Sequence, residues 1–349
     1  MIVEELAKGA SNSPEVVVEN FRLLWTKAAD RSERAIPVGR DRGADKAVTH
    51  SRTSASARPL SQILLHALDE IEQVGMRKGG VFTIPTGLSD LDVLTGGFRP
   101  GSLNVIASGP SIGKSTLALD ICRATSLRHH LPSAFFSSEM SENEIQMRLL
   151  SAEARVSLHW LRSGYLQDED WSRLGHKLED IAKAPLWLLY APALTLTLLD
   201  EEIRNLRGAP GVKLVAVDSL QGLAAASCDE GVAATTSDVL RHLKRIAHEF
   251  QVPIVVTARI RNEDALKHRR PEISDMQDSE AVYEEADTII MLYRPDAYDR
   301  EHPRAGEVDL IVAKQRNGPT ATATAAFQGH YMRIVDMSGE DQNWSIERE

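Results

Sequence analysis

One short segment of the chain combines the residue types that bind nucleoside phosphates. Residues 108–115 read Ser-Gly-Pro-Ser-Ile-Gly-Lys-Ser, which approximates the pattern G-x-x-x-x-G-K-[ST] with Ser108 at the first glycine. Backbone N–H groups of such a loop and of the following helix hold phosphate oxygens. Lys114 supplies charge for the β- and γ-phosphates, and the Ser115 hydroxyl is a ligand for Mg²⁺. The candidate ATP-binding residues are Ser108, Gly109, Pro110, Ser111, Ile112, Gly113, Lys114, Ser115 and Thr116.

Two carboxylates follow apolar segments elsewhere in the chain. Asp218 ends the apolar segment 213–218, and Glu139 follows the apolar segment 134–136 after two serines. Because the carboxyl ends of parallel strands meet at one edge of a sheet, both side chains are expected beside the phosphate loop. There Asp218 would reach the Mg²⁺ shell, and Glu139 would polarise the attacking water as general base. An ordinary surface-loop carboxylate is the alternative for Glu139.

From about residue 80, short apolar runs alternate with helical patterns. The predicted strands are 103–107, 133–136, 186–189, 213–217, 254–257 and 288–292, and the predicted helices are 114–127, 141–155, 168–182, 198–206 and 236–250. Such alternation predicts an α/β fold with a parallel sheet covered on both faces. The C-terminal part predicts antiparallel strands at 307–314 and 320–327 around the turn pair Asn317-Gly318.

The N-terminal 79 residues differ in charge from the rest of the chain. They carry 12 Lys+Arg and 11 Asp+Glu, whereas residues 80–349 carry 28 and 39. Residues 1–30 predict a short helical segment, 31–58 a flexible basic linker, 59–79 an amphipathic helix and 338–349 an acidic tail. Solvated tethers are the usual form of charged linkers, although the basic excess could touch nucleic acid. The helix in 59–79 fits a neighbouring subunit and its own domain equally by pattern alone.

Composition excludes several classes of protein. The chain has 349 residues, 42% of them apolar, and a net charge of −10, which excludes a wholly disordered chain and a generally basic nucleic-acid-coating protein. Two cysteines argue against a disulfide framework and exclude a four-cysteine zinc site. No apolar run reaches about 18 residues, and the N-terminus has no secretory pattern, so no membrane partner and a cytoplasmic location are expected.

Five motifs in one order carry a resemblance to a known family. They are residues 86–98 (Thr-Gly-Leu-Ser-Asp-Leu-Asp-Val-Leu-Thr-Gly-Gly-Phe), 110–115, 136–141 (Phe-Ser-Ser-Glu-Met-Ser), 218–221 (Asp-Ser-Leu-Gln) and 314–319 (Lys-Gln-Arg-Asn-Gly-Pro). Over about 59–337 the chain resembles the C-terminal RecA-like ATPase domain of DnaB-type replicative helicases. The resemblance implies a RecA-like P-loop ATPase domain at 80–337, with a mostly parallel sheet.

The resemblance also implies roles for individual residues. It implies a homo-oligomeric ring, usually hexameric, with ATP and Mg²⁺ held between subunits. Lys114 and Ser115 would bind phosphate and Mg²⁺, Asp218 would be the Mg²⁺-shell carboxylate, and Glu139 the catalytic base. Lys314 and Arg316 would act in trans on the γ-phosphate of the neighbouring subunit. The helix in 59–79 takes the place of the family's linker helix, which docks on the adjacent subunit.

The chain departs from the family's pattern in its N-terminal part and in the residues that sense the γ-phosphate. Residues 1–58 offer one helix and a linker, which is too little for the family's N-terminal collar domain, so recruitment of primase is not implied. After the strand at 254–257 the family carries a Ser-Gln pair, and here Ala258 and Arg259 stand in that place. Arg259 is expected to sense the γ-phosphate, since guanidinium pairs well with phosphate.

A third departure lies in the family's DNA-contacting loop. Gln277 replaces an arginine of that loop, and Glu280 replaces a glycine, which should weaken contacts with single-stranded DNA. Nearby basic residues either compensate or form a solvated loop. The candidate DNA-loop residues are Arg261, Lys267, Arg269, Arg270 and Gln277.

Two interpretations of function follow. The leading one is an ATP-dependent DNA helicase or translocase of DnaB type that moves along single-stranded DNA. The alternative is a helicase-derived ATPase that acts as a nucleotide-switched assembly protein with little unwinding, on the grounds of the three departures. A RecA-like recombination ATPase is a third option, against which residues 314–318 count.

Overall fold

The computed structural model describes residues 83–206, 211–229, 231, 235–261, 269–316 and 318–337. The chain divides into the units Met1–Phe82 and Thr83–Glu349, so every described residue belongs to the second unit. The predicted segments 1–30, 31–58, 59–79 and 338–349 lie outside the described residues, and so do Lys267 and Asn317.

One sheet runs through the described part of the chain. Its strands are β1 Leu103–Ser108, β2 Ser133–Ser137, β3 Leu186–Tyr190, β4 Leu214–Asp218, β5 Ile254–Arg259, β6 Thr288–Tyr293, β7 Glu307–Gln315, β8 Thr322–Gln328 and β9 Arg333–Asp336. Their spatial order is β3-β2-β4-β5-β1-β6-β7-β8-β9. The first six strands in this order pair in parallel, and the last three are antiparallel. This confirms the predicted mostly parallel sheet with C-terminal antiparallel strands.

Helices connect the strands and cover both faces of the sheet. They are α1 Ser89–Thr95, α2 Lys114–Arg123, α3 Glu142–Ala154, α4 Leu158–Ser163, α5 Asp168–Lys183, α6 Leu196–Asn205, α7 Leu220–Asp229, α8 Thr236–Phe250 and α9 Ser279–Glu285. A π-helical turn, Ala124–Arg128, continues α2. No helix among the described residues is long and apolar enough to cross a membrane.

Burial on both faces explains the apolar central strands. Every residue of β1 is buried, because successive side chains point to opposite faces and each face carries helices. Leu103 and Val105 pack in one cluster with Leu240 of α8. Ile106 packs in the other cluster with Leu117 of α2. The core on both sides thus holds β1 in place and fixes the loop at its carboxyl end.

The predicted hairpin at the C-terminus needs a correction. The first strand ends at Gln315 and the second begins at Thr322 rather than at residue 320. Pairing between the two strands reaches only to the bond from the Val312 N–H to the Ala321 carbonyl, at 2.8 Å, while Gln315 pairs with β6. The predicted antiparallel pair is confirmed, but its second strand begins later than predicted, and β7 extends beyond that partner to remain paired with β6.

A buried ionic cluster joins α2, which follows the phosphate-binding segment, to α3, which follows Glu139. Arg123 of α2 donates from Nε to Asp120 Oδ1 at 3.0 Å and from Nη1 to Glu153 of α3. The N–H of Ile334 on β9 donates to Asp120 Oδ2 at 2.6 Å. Burial raises the pKa of Asp120, and the charge of Arg123 opposes that rise. Arg123 therefore keeps a buried carboxylate compensated.

Replacing Arg123 with alanine is expected to destabilise the protein by about 3–5 kcal/mol, because Asp120 would remain as an uncompensated buried charge. Arg162→Ala is the matched control, since Arg162 is half exposed and its pair with Glu144, at 3.3 Å, contributes about 0–1 kcal/mol. Urea unfolding midpoints of the two variants measure the difference. Equal losses would show that the cluster contributes no more than a surface pair.

Candidate active site

The phosphate loop connects β1 to α2 and adopts a conformation that its sequence allows. Gly113 has φ of 128°, in the left-handed region that L side chains rarely adopt. A Cβ at this position would also lie 3.2 Å from Cε2 of Phe327. Ser108 is fully buried, and its hydroxyl donates to the carbonyl of Gly109 at 2.8 Å. A local hydrogen bond thus satisfies the serine that stands where the pattern has glycine.

The rest of the loop presents the start of α2. Pro110 and Ser111 are exposed, and Ile112 is buried in the core. Lys114 and Thr116 are buried in the first turn of α2. That turn contains no acidic residue, so the positive end of the helix is not neutralised locally. An anionic group such as a phosphate is favoured at this position.

Asp218 lies beside the loop with an unsatisfied oxygen. Ser115 Oγ donates to Asp218 Oδ1 at 3.0 Å, and Thr257 Oγ1 donates to the same oxygen. Asp218 is fully buried, and its Oδ2 has no partner among the described residues. Burial raises the pKa of Asp218, and the Thr257 hydrogen bond and the charge of Lys114 oppose the rise. A buried carboxylate with a spare oxygen is stabilised by a cation.

The donor set at Asp218 fits Mg²⁺. The carboxylate and the Ser115 hydroxyl are hard oxygen ligands, which Mg²⁺ prefers. No group of three or more His, Cys, Asp or Glu suited to a metal occurs in the described ranges. A Mg²⁺ site shared with nucleotide phosphates needs only one or two carboxylates. The residues present are therefore sufficient for such a site.

Glu139 is positioned by a serine turn and held by two donors. The Ser137 hydroxyl accepts from the N–H groups of Glu139, at 3.2 Å, and Met140, at 2.9 Å, which turns the chain after β2. Ser219 Oγ donates to Glu139 Oε1 at 2.7 Å, and Arg259 Nη2 donates to the same oxygen at 2.9 Å. Burial opposes ionisation, but the Ser219 bond, Lys114 and Arg259 together lower the pKa of Glu139.

A glycine allows α7 to approach the loop that carries Glu139. The Ser138 N–H donates to the carbonyl of Asp218 at 2.7 Å, so the two loops lie side by side. A Cβ on Gly222 would lie 2.2 Å from Ser138 Oγ and 3.1 Å from Ser138 Cβ, so a larger residue would force the Ser138 side chain to move. Glycine at this position thus allows the close packing of the two loops without that movement.

The structure brings most of the predicted nucleotide-site residues together. Ser108, Asp218 and Arg259 end β1, β4 and β5, and in the sheet Ser108 lies beside Arg259. The sequence analysis missed Thr257 and Ser219, which hydrogen-bond to the two carboxylates. A polar threonine within the otherwise apolar run 254–258 of β5 was the signal available for Thr257.

Lys314 and Arg316 lie at the opposite edge of the sheet. The Arg316 N–H donates to the Asp287 carbonyl, and the Asp287 N–H donates to the Leu103 carbonyl, both at 2.8 Å. Arg316 is therefore level with the start of β1, about 17 Å along the strand from Ser108. An arginine side chain does not span that distance, so Arg316 does not join the phosphate loop of its own subunit. Lys314 lies two strands away from β1, in register with Ile289 of β6, and its amino group is held by the Tyr283 carbonyl.

Both cations have partners within the subunit. Arg316 Nη1 donates to Asp287 Oδ1 at 3.2 Å, and Lys244 pairs with the other oxygen of that carboxylate. Lys314 donates to the Tyr283 carbonyl and lies 4.6 Å from the centre of the Tyr283 ring. Burial and the charge of Arg316 lower the pKa of Lys314. Both side chains are thus held at this edge by contacts within their own subunit.

Each described DNA-loop arginine is paired with a carboxylate. The pairs are Arg261 with Asp278 at 3.8 Å, Arg269 with Asp275 at 2.7 Å and Arg270 with Asp309 at 2.8 Å. Gln277 is partly buried, and its N–H donates to the carbonyl of Arg259 at 3.2 Å. Residues 269–287 contain two arginines and seven Asp or Glu. The described part of this region is therefore net negative.

Comparison with known proteins agrees with this arrangement. The family model described as the DnaB-like helicase C terminal domain matches residues 83–336. The chain belongs to this family. The resemblance seen in the five motifs is thereby confirmed for the part of the chain that carries them.

One relative of this DnaB-family chain shows the extent of the sequence similarity. The replicative DNA helicase DnaB of Leifsonia xyli subsp. xyli (strain CTCB07) is 41% identical over 281 residues, which is 80% of this chain. This chain spans 62% of the length of that relative.

Two solved structures share the fold. One, an isolated ATPase domain, has a TM-score of 0.73 at 26% identity, and the match covers 81% of this chain and all of that domain. A DnaB-like replicative helicase, studied with its interactions with primase, has a TM-score of 0.71 at 26% identity, and that match covers 82% of this chain and 69% of the other. The mostly parallel sheet with C-terminal antiparallel strands is thus the RecA-like ATPase fold of this family.

Proposed function

We propose that this protein is an ATP-dependent DNA helicase or translocase of DnaB type. It hydrolyses ATP at interfaces between subunits of a homo-oligomeric ring, a hexamer, and moves along single-stranded DNA. The observation that carries the proposal is the placement of two partial active sites at opposite edges of one sheet. One edge presents Lys114, Ser115, Asp218 and Glu139, and the other presents cations that cannot reach them.

The two edges complement each other in a ring. A head-to-tail interface places different surfaces of two identical subunits against each other, and repetition closes a ring. The phosphate-loop edge of one subunit would then receive Lys314 and Arg316 of the next. An arginine supplied in trans stabilises the charge of the transition state only while the interface is closed. Hydrolysis would therefore be coupled to the relative movement of neighbouring subunits.

The residues at the phosphate-loop edge have distinct tasks in hydrolysis. The loop N–H groups and Lys114 hold the phosphates, and Arg259 senses the γ-phosphate. Glu139 accepts a proton from water as the water oxygen bonds to the γ-phosphorus and the bond to the β–γ bridging oxygen breaks, which yields ADP and phosphate. Ser115 and Asp218 would hold Mg²⁺, which neutralises phosphate charge when bound.

DNA binding rests on fewer observations than hydrolysis does. Relatives named replicative DNA helicases support the proposal of single-stranded DNA as partner. Within the described part of the loop, however, the arginines are paired and the region is net negative. Lys267 lies outside the described residues, so its role stays a prediction. Residues 1–58 also lie outside them, and their sequence does not imply primase recruitment. The cytoplasmic location stays a prediction as well. The relatives favour the helicase over an assembly ATPase.

Single-stranded DNA is expected to stimulate ATP hydrolysis, and the stimulation should fade with salt. For single strands, the logarithm of affinity falls by about 0.7 per phosphate contact for each logarithmic unit of salt. Steady-state phosphate release with and without oligodeoxythymidylate, at several salt concentrations, measures this slope. Lys114→Ala serves as the control for contaminating ATPase. A rate that is indifferent to DNA at every salt concentration would favour the assembly ATPase instead.

A further inference from the structure

Arg259 and Ser219 meet on one oxygen of Glu139. Arg259 ends β5 beside Ser108, the first residue of the phosphate loop, and Ser219 directly follows Asp218. Their donors lie 2.9 Å and 2.7 Å from Glu139 Oε1. The carboxylate of the proposed base is thus fixed by one charged donor and one neutral donor.

The two donors differ in how readily they can give up their hydrogen bond to Glu139. The Arg259 side chain is 57% exposed and that of Glu139 is 29% exposed, so their ion pair is partly solvated and contributes little to stability. Ser219 lies in the fully buried turn after β4, and its short side chain cannot extend elsewhere. Arg259 can therefore change partners at small cost, whereas Ser219 stays on Glu139.

A γ-phosphate would compete for Arg259 from the adjacent loop. Guanidinium forms bidentate hydrogen bonds with phosphate as well as with carboxylate. A γ-phosphate beside Lys114 would carry more negative charge than the single carboxylate of Glu139, and Coulomb attraction grows with charge. ADP lacks this group. The competition therefore distinguishes ATP from ADP.

We propose that Arg259 is a positioning residue that exchanges partners, pairing with Glu139 when no γ-phosphate is present and with the γ-phosphate when ATP is bound. The inference rests on the proposed ATPase function of the same site. While Arg259 pairs with Glu139, its charge and its hydrogen bond hold the carboxylate in one orientation. After the exchange Glu139 keeps only the Ser219 bond and turns toward the attacking water. Glu139 is thus free to turn toward water only when ATP occupies the loop.

The lowered pKa of Glu139 is consistent with this exchange. Lys114, Ser219 and Arg259 together outweigh the effect of burial, and a carboxylate with a lowered pKa is a weaker proton acceptor. Departure of Arg259 removes one of these stabilising contacts. The exchange would therefore make Glu139 a better base at the moment when substrate is present.

Binding of AMP-PNP and ADP to the full-length chain tests the exchange without catalysis. Arg259→Ala is expected to lower the preference for AMP-PNP over ADP by about 10- to 100-fold, the range for hydrogen bonds to charged groups. Arg259→Lys should recover part of that preference. Ser219→Ala should leave the preference unchanged and lower kcat, because it loses a bond to Glu139 and none to nucleotide. Arg245→Ala, which removes an exposed arginine of α8 paired with Glu249 at 3.3 Å, should behave as the unmodified protein.

Structures of the assembled chain with AMP-PNP and with ADP provide the second readout. The guanidinium of Arg259 is expected on the γ-phosphate in the first and on Glu139 in the second. The exchange is wrong if Arg259 stays on Glu139 with AMP-PNP bound, or if Arg259→Ala and Ser219→Ala alter nucleotide preference equally. Absence of ATP hydrolysis by the unmodified protein would instead remove the proposed function. An active ATPase whose Arg259→Ala variant keeps its preference would contradict the exchange alone.

Discussion

Replacing Glu139 with glutamine is expected to stop ATP hydrolysis while ATP still binds. Glutamine keeps the size of the side chain and can still accept from Ser219 and Arg259, but it cannot take a proton from water. General-base catalysis contributes about 10²- to 10⁴-fold, so kcat should fall by at least that range. Lys114→Ala should also stop turnover, but through weaker binding of the phosphates.

Measurements of phosphate release and of nucleotide binding separate these two defects. Glu139→Gln should bind ATP at least as tightly as the unmodified protein, because it removes a negative charge near the phosphates. Glu142→Gln is the matched control: Glu142 is exposed at the start of α3, and its substitution should leave both quantities unchanged. Near-normal hydrolysis by Glu139→Gln would remove its assignment as general base.

The pH dependence of hydrolysis follows from the direction of the Glu139 shift. Its pKa lies below the ordinary glutamate value of 4.5, so the carboxylate is ionised throughout the neutral range. Loss of activity through protonation of this group is expected only below that ordinary value. The kcat/KM profile, which reports groups of the free enzyme, should therefore stay flat down to about pH 6, well above the range in which such a carboxylate titrates.

The sequence predicted the site because the active residues lie at strand ends. The segment at 108–115 follows a buried strand, and Asp218 and Glu139 follow two others. Parallel pairing brings those ends to one edge whatever the details of packing. For this reason local patterns were enough to assemble most of the phosphate-binding edge, together with the strands and long helices that support it.

Contacts that depend on tertiary packing were not predictable from local patterns. Thr257 reaches Asp218 because β5 lies beside β4, and Ser219 reaches Glu139 because β4 lies beside β2. No spacing in the sequence encodes these contacts. Arg270 pairs with Asp309 across a long separation in the chain. The helices α1 and α4 have seven and six residues, which is too short for a helical periodicity to stand out.

The charge that the DNA loop presents was also not predictable from local sequence patterns. The sequence shows arginines at 261, 269 and 270 but not whether they face solvent or carboxylates. The structure pairs each of them with an aspartate, so their positive charge is locally compensated. Net charge of the whole chain therefore says little about its ability to bind DNA, and the salt dependence of DNA-stimulated hydrolysis becomes the direct measure.

Arg316→Ala is expected to lower ATP hydrolysis by about 10³- to 10⁵-fold, the range for an arginine supplied to a phosphoryl-transfer site. The fold should not suffer, because Arg316 is 56% exposed and its partner Asp287 keeps Lys244. The Leu103 N–H also donates to Asp287, at 2.8 Å. Unfolding midpoints close to those of the unmodified protein would establish that the loss is catalytic.

Mixing two inactive variants tests whether Arg316 acts on the neighbouring subunit. Lys114→Ala subunits lack a working phosphate loop but keep Arg316, and Arg316→Ala subunits have the reverse defect. In rings of equal, random composition, about a quarter of the head-to-tail interfaces combine the two intact halves. Such mixtures should therefore regain hydrolysis that neither variant shows alone. Measurement in a single turnover counts these interfaces without requiring successive sites of the ring to hydrolyse ATP in order.

A mixture of Lys114→Ala with Glu139→Gln is the control for this experiment. Both defects lie on the phosphate-loop edge, so no arrangement of those subunits restores a complete interface. If the Arg316→Ala mixture recovers no more activity than this control, Arg316 does not act in trans. Recovery confined to the Arg316→Ala mixture would show that the two edges of one subunit act on nucleotides bound at two different interfaces. ATP hydrolysis would then depend on contact between subunits, as movement along DNA by a ring requires.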